Sequence, residues 1–284
     1  MIRAVDLRRC LDRRRALVAL WLLQSGVGVV LALPWWAGVA FDEAARHPQG
    51  DAPLFEAGAL LLWEVALGLA PQFGSMATGT FLLMLVGSIL WLVPRAAFIE
   101  SLHAPPHQPL AVAAGRGVRR FPAFVLITGA TSLTQLLVLF FTLTLAASAA
   151  AAFVESLGER GSDQVAAGIL LLGVAAVAIL GVVRDLGFCH AVSQDESGLT
   201  SLIRALSAFV ARPATSLLAW AAHAIWGAFT VLAAAWLVGL IDVSQPGTWR
   251  LALVLAVHQL ALLVLALLRG AWLSRALSLA RPVP

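Results

Sequence analysis

The chain has 284 residues, of which 61% are hydrophobic and only 12% charged, whereas soluble domains run at roughly 45–50% apolar and about 25% charged. This balance excludes a water-soluble globular domain. The formal charge of +4 rests on 19 basic residues, every one of them arginine, but nucleic-acid binding needs basic residues clustered on a soluble face. Here the arginines flank apolar runs, so nucleic acid is excluded as a partner class.

The absence of Lys and Tyr points to a GC-rich bacterial genome and carries no mechanism. Ahead of the first apolar run stand Arg13, Arg14 and Arg15. From Ala16 to Ala40 there is no charge and no small-residue cleavage site after a short apolar core, so the run reads as an uncleaved span and not a secretory signal. No lipidation motif is present, because Gly does not follow Met1 and no signal core precedes Cys10.

Uninterrupted apolar length predicts six spans at about 16–40, 76–94, 122–148, 165–183, 214–240 and 250–270. The expected fold is all-α, one polytopic membrane bundle over residues 1–284 with six transmembrane helices and short interfacial helices. Sixteen of the 19 arginines fall on one side of this topology, leaving only Arg46, Arg160 and Arg250 on the other. Arginine accumulates on the cytoplasmic side of bacterial inner-membrane proteins. Both termini are therefore expected inside, with Asp51 outside.

The segment from Leu54 to Ala70 is apolar enough for a further span, but it contains Glu56 and Glu64. A carboxylate at mid-membrane costs roughly 2.5–3.5 kcal/mol, and an extra crossing would put Arg95, Arg116, Arg119 and Arg120 outside. The segment is read as a helix lying on or dipping into the outer face of the membrane, released by a turn from Pro71 to Ser75. Three short arginine-bearing segments, Leu7–Arg15, Gly115–Pro122 and Leu202–Pro213, each precede an outgoing span and suggest a repeat of interfacial helix, span out and span back. Such segments lie in the headgroup layer with arginine toward lipid phosphate.

The pattern around these segments resembles bacterial six-span membrane proteins related to the membrane domain of glycerophosphoryl diester phosphodiesterases. It is carried by Val93–Phe98 (Val-Pro-Arg-Ala-Ala-Phe), Gly117–Phe124 (Gly-Val-Arg-Arg-Phe-Pro-Ala-Phe), Val182–Val192 with its Asp-Leu-Gly-Phe, and Ser201–Pro213. The likeness implies architecture and not activity, since no stretch of the chain is long enough for the catalytic barrel of roughly 250 residues.

Polar residues inside spans need partners away from lipid. His223 in the fifth span and His258 with Gln259 in the sixth are placed to meet at mid-depth. A proton relay or ligand site is the functional reading, and an interhelical hydrogen bond the structural one. With no intramembrane acid beside them and two His making an incomplete metal site, the structural reading is the stronger. In the third span, Thr131 and Gln135 stand among Thr128, Ser132, Thr134, Thr142 and Thr144, a hydroxyl density that suits helix packing or a lined conduit.

Arg184 and Asp185, with Asp195 and Glu196 behind them, suggest a charge network fixing a cytoplasmic loop. Arg116, Arg119, Arg120, Arg184, Asp185, Arg204 and Arg212 are the candidate contacts to lipid headgroups or a partner. Trp35, Trp36, Trp63, Trp91, Trp249 and Trp272 read as interfacial belt anchors. Cys10 and Cys189, both on the reducing side, are expected to stay free.

No phosphate loop, His-Glu-x-x-His or Gly-x-Ser-x-Gly occurs. No catalytic residue, metal ligand or cofactor is therefore assigned. The function class that remains is a non-enzymatic accessory or scaffold membrane protein, whose partners are membrane lipids, other membrane proteins or a second copy of the chain. The alternative is a small-solute or lipid transporter.

Overall fold

The computed structural model describes residues 3–40, 60–105, 108–241 and 248–280, with side chains placed for 3–34, 73–105, 108–241 and 249–280. Arg46, Asp51, Glu56 and Arg281 lie outside the described residues, as do the side chains of Trp35, Trp36, Trp63 and Glu64. Every element among the described residues is a helix: α1 (Ala4–Leu11), α2 (Arg14–Ala40), α3 (Leu60–Leu90), α4 (Leu92–His103), α5 (Leu110–Ser193), α6 (Gly198–Ala211), α7 (Pro213–Gly239) and α8 (Thr248–Leu279). Five of the helices are long and apolar enough to cross a membrane.

The longest, α5, is a hairpin. Gln135 Nε2 donates to the carbonyl of Val177 at 3.0 Å, the rings of Phe124 and Phe188 stack at 4.3 Å, and Thr142 abuts Gly173. Moving forward along one arm goes with moving back along the other, so the arms are antiparallel. The apex is Gly158, at φ 71° and ψ 172°. Only glycine enters that region without a Cβ penalty, which is why the reversal falls there.

Antiparallel packing also joins α7 to α8. The ring of His223 lies 6.1 Å from that of Trp272, and Gly227 faces Leu265. The helices α4, α5 and α6 pack together at the arginine-rich end, where α1 lies against α8. The buried core sits here, built from Leu17, Phe98, Ile99, Phe124, Leu186, Phe188, Leu273 and Leu277. Farther along the hairpin and α7, side chains such as Leu136, Phe140, Leu171, Leu172, Ile225 and Leu232 are exposed. Exposed leucine over that length is the surface a hydrocarbon solvent selects.

Three details differ from the sequence reading. No turn occurs at Pro71–Ser75, because α3 runs as one helix from Leu60 through Pro71 to Leu90. The part of the supposed surface segment within the described residues is therefore a coaxial extension of the second span, and 54–59 lie outside the description. Proline forfeits one intrahelical bond, but leaving the helix inside an apolar medium would orphan many more backbone groups.

Next, Gly115–Pro122 is not a separate interfacial helix. It lies within α5, which continues through Pro122. Of the three repeat segments only the first and third correspond to short helices, α1 and α6. Between α6 and α7 the chain breaks at Arg212, with Pro213 opening α7, a position where its missing N–H costs nothing.

Finally, the chain after the second span continues as α4, with Phe98, Ile99 and Leu102 buried. Pro94 cannot donate to the carbonyl of Leu90, but Trp91 keeps helical dihedrals and its carbonyl accepts from Arg95 N–H, so α4 carries on the course of α3. The helix closes at Ala104, whose carbonyl accepts from the Arg13 guanidinium.

Candidate functional site

The polar centre of the molecule is Asp185, 1% exposed near the end of α5. Its carboxylate receives both arms of the Arg269 guanidinium, Nη1 to Oδ2 at 2.6 Å and Nη2 to Oδ1 at 2.5 Å. Trp272 Nε1 donates to Oδ2 at 2.7 Å. Because α8 is a helix, Arg269 and Trp272, three residues apart, share one face and grip the same carboxylate. The bidentate geometry is the strong form of the arginine–carboxylate pair. It clamps the second arm of α5 to α8.

Two further guanidinia act on this layer, since Arg95 and Arg184 both lie near enough to Asp185 to feel its charge. Arg184 Nε is buried without a hydrogen-bond partner. The Arg95 guanidinium lies 5.8 Å from the centroid of the Phe188 ring, a cation–π contact. Among the described residues no carboxylate lies within ion-pair distance of Arg95. Beside it opens a cavity of about 270 Å³ lined by Leu20, Gln24, Trp91, Arg95, Phe98 and Arg269, among others.

A second set of charges ties the connection between α5 and α6. Arg120 reaches Glu100 of α4 at 3.4 Å and also pairs with Asp195. Arg204 pairs with Glu196 at 2.5 Å. Ser197 caps α6 by accepting from Thr200 N–H. By contrast Arg116, Arg119 and Arg212 are exposed.

His223 and His258 do not meet. The register that sets His223 beside Trp272 places His258 14 residues from that tryptophan along α8, roughly 21 Å away at 1.5 Å per residue. His223 is buried, with Nδ1 2.7 Å from the carbonyl of Ala219, while His258 is exposed with Nδ1 2.9 Å from the carbonyl of Val254. Equal depth into two antiparallel spans, counted from opposite faces, is not a shared level.

Gln259 turns instead to α2. Its side-chain oxygen accepts from Ser25 at 2.8 Å and its carbonyl from Trp21 Nε1 at 3.2 Å. Thr131 is buried and donates to Ile127 O at 2.7 Å, and Thr134 and Thr144 also bond to carbonyls of their own helix. Trp272 is not a belt anchor, since its ring is buried on Asp185. Trp249 is exposed and carries the Arg250 guanidinium 5.4 Å above it.

Sequence reasoning named Arg184 and Asp185 but missed Arg95, Glu100, Arg269 and Trp272. The available signal was the lone acid two residues beyond the fourth span. An acid there demands a cation at the same level, and Arg269, in the last turn of an oppositely directed span, is one.

Cys10 and Cys189 are free and buried. Burial pushes the Cys10 thiol up to about 12. Its sulfur packs where a Cβ on Gly270 would come within 2.4 Å, so glycine is what lets α1 lie against α8.

Compared with known protein families, curated proteins and solved structures, the chain matches none.

Proposed function

We propose that the chain is a six-span protein of the bacterial inner membrane with both termini in the cytoplasm, acting as a non-enzymatic scaffold that holds lipid and partner helices. Five long apolar helices, one of them a hairpin, support a count of six. The observation that carries the scaffold reading is how its polar groups are spent. Asp185, Arg269, Gln135, Gln259 and Ser25 bond between helices, while Thr131, Thr134 and Thr144 of the third span close on their own backbone. A transporter needs a midplane site at broken helices, and the break at Arg212 falls at the arginine-rich end instead. The six-span architecture accords with the membrane domains the sequence resembles.

Topology is tested by fusing a reporter active only in the cytoplasm after Gly50 and after Ser193. Signal is expected from the second alone, and signal from both removes the six-span reading. The scaffold role is tested with the purified chain in sealed vesicles, where proton and anion permeability should match protein-free vesicles. Flux above that level, abolished by His223→Gln, replaces the scaffold by a transporter.

A further inference from the structure

The Arg95 cavity is not closed off from the lipid-facing side. Leu20, Trp91 and Phe98 line it and also line a larger apolar groove of about 1120 Å³ that runs between α2 and α3 toward the middle of the bundle. The groove walls are aliphatic, with Leu23, Val27, Leu83 and Val86 among them. Gly26 and Gly87 face the groove, and around either one a Cβ would meet nothing within 4 Å. A polar chamber with a guanidinium therefore opens at one end of a long apolar trough.

The charge in the chamber is unbalanced. Arg95 and Arg269 both line it and no carboxylate does, and both oxygens of the adjoining Asp185 are taken by Arg269 and Trp272. Arg95 is left with an aromatic face and the cavity. A half-buried guanidinium with no carboxylate at ion-pair distance is costly next to hydrocarbon. Gln24 adds an amide donor, and Trp91 lines the chamber where α3 passes into α4.

We propose that this chamber and groove bind one anionic phospholipid, its phosphate on Arg95 and Gln24 and an acyl chain along α2 and α3. The anion matches the excess positive charge, and the apolar trough distinguishes a lipid from a free phosphate. Guanidinium is suited to phosphate through paired N–H donors. The site rests on the membrane reading above and gives the scaffold a specific lipid to hold. It lies apart from the exposed Arg116, Arg119 and Arg212, which offer only surface charge.

The test uses the full chain in phosphatidylcholine vesicles that contain a minor fraction of phosphatidylglycerol with a photoactivatable acyl chain. Cross-linked peptides are expected from α2 and α3. Arg95→Gln should lower the cross-link yield about tenfold, the scale of one charge-assisted contact, whereas Arg116→Gln should leave it nearly unchanged. Gly87→Phe fills the groove in open space and should lower the yield with Arg95 intact, which keeps the test decisive if Arg95→Gln fails to fold.

Equal losses from Arg95→Gln and Arg116→Gln overturn the site in favour of general surface attraction. Equal labelling by a photoactivatable phosphatidylcholine overturns the anionic preference. Displacement of the lipid by inorganic phosphate, with no effect of Gly87→Phe, assigns the chamber to a free anion and overturns the lipid. A chain that resists alkaline extraction but shows no cross-link disproves this site alone, while a chain extracted from the vesicles disproves the membrane reading as well.

Discussion

The two ends of this molecule are built on different physics. At the arginine-rich end, α1, α4 and α6 fill the spaces between the long helices, and Asp185 is sealed under Arg269 and Trp272. Along the middle of the hairpin and α7 the helices present leucine and phenylalanine outward. In hydrocarbon there is no hydrophobic drive to bring such surfaces together. Association must come from close packing at small residues and from polar contacts. The hairpin arms use both, with Gly173 against Thr142 and Gln135 on Val177.

The contrast can be broken most severely at Asp185. Asp185→Ala leaves the Arg269 guanidinium and the Trp272 indole without their acceptor, and removing one partner of a buried pair costs about 3–5 kcal/mol. Thermal unfolding of the purified variant in detergent should show the loss. A Tm equal to wild type means the clamp does not hold α5 to α8.

Next in size is a charge placed on the opposite region. Leu172, 73% exposed in the fourth span, becomes a lipid-facing cation in Leu172→Arg, at a cost of about 2.5–3.5 kcal/mol of insertion. Glycosylation-tagged insertion assays should report reduced membrane integration. Unimpaired integration means this face is turned toward protein or water.

Glycine separates the regions more finely. A Cβ on Gly117 would lie 2.6 Å from the backbone nitrogen of Ala97, so Gly117→Ala must force α4 from α5 at about 1–3 kcal/mol. Gly129 has nothing within 4 Å of that position. Gly129→Ala should be neutral or gain up to about 1 kcal/mol of helix propensity. Denaturation midpoints that fail to separate these two variants contradict the difference in packing between the ends.

The smallest effect is at Cys10. Its thiol is held neutral by burial to about pH 12, while in the unfolded chain it ionises near 8.5–9. Unfolding thus releases a proton between those values, and stability should be whole below about pH 8.5 and decline as pH rises toward 12. Because the thiolate is the reactive form, maleimide in a Cys189→Ser background should label Cys10 only as the arginine-rich end opens. Rapid labelling at neutral pH in the folded state contradicts that packing.

Much of the fold was legible because a membrane helix is announced by composition alone. The apolar runs gave the all-α class, and the arginines at their ends marked the end where the core lies. The continuity of α3 through Pro71 was not legible, since proline and flanking glycine read as a turn only when water can take up the freed backbone groups. The site was half legible: Asp185 was noticed with Arg184 as part of a loop-fixing charge network, but its partners Arg269 and Trp272 looked like a topology charge and a belt anchor.

The sequence by itself determined where hydrocarbon would surround the chain, because transfer of a side chain into lipid depends on its own chemistry and little on its neighbours. Which helices touch, and at what level, was decided only by tertiary structure. Gly158 reverses α5, and the register of α7 on α8 separates His223 from His258 by several turns while joining His223 to Trp272. Those pairings depend on interhelical packing at small residues and on which polar group reaches which, quantities that no single span encodes.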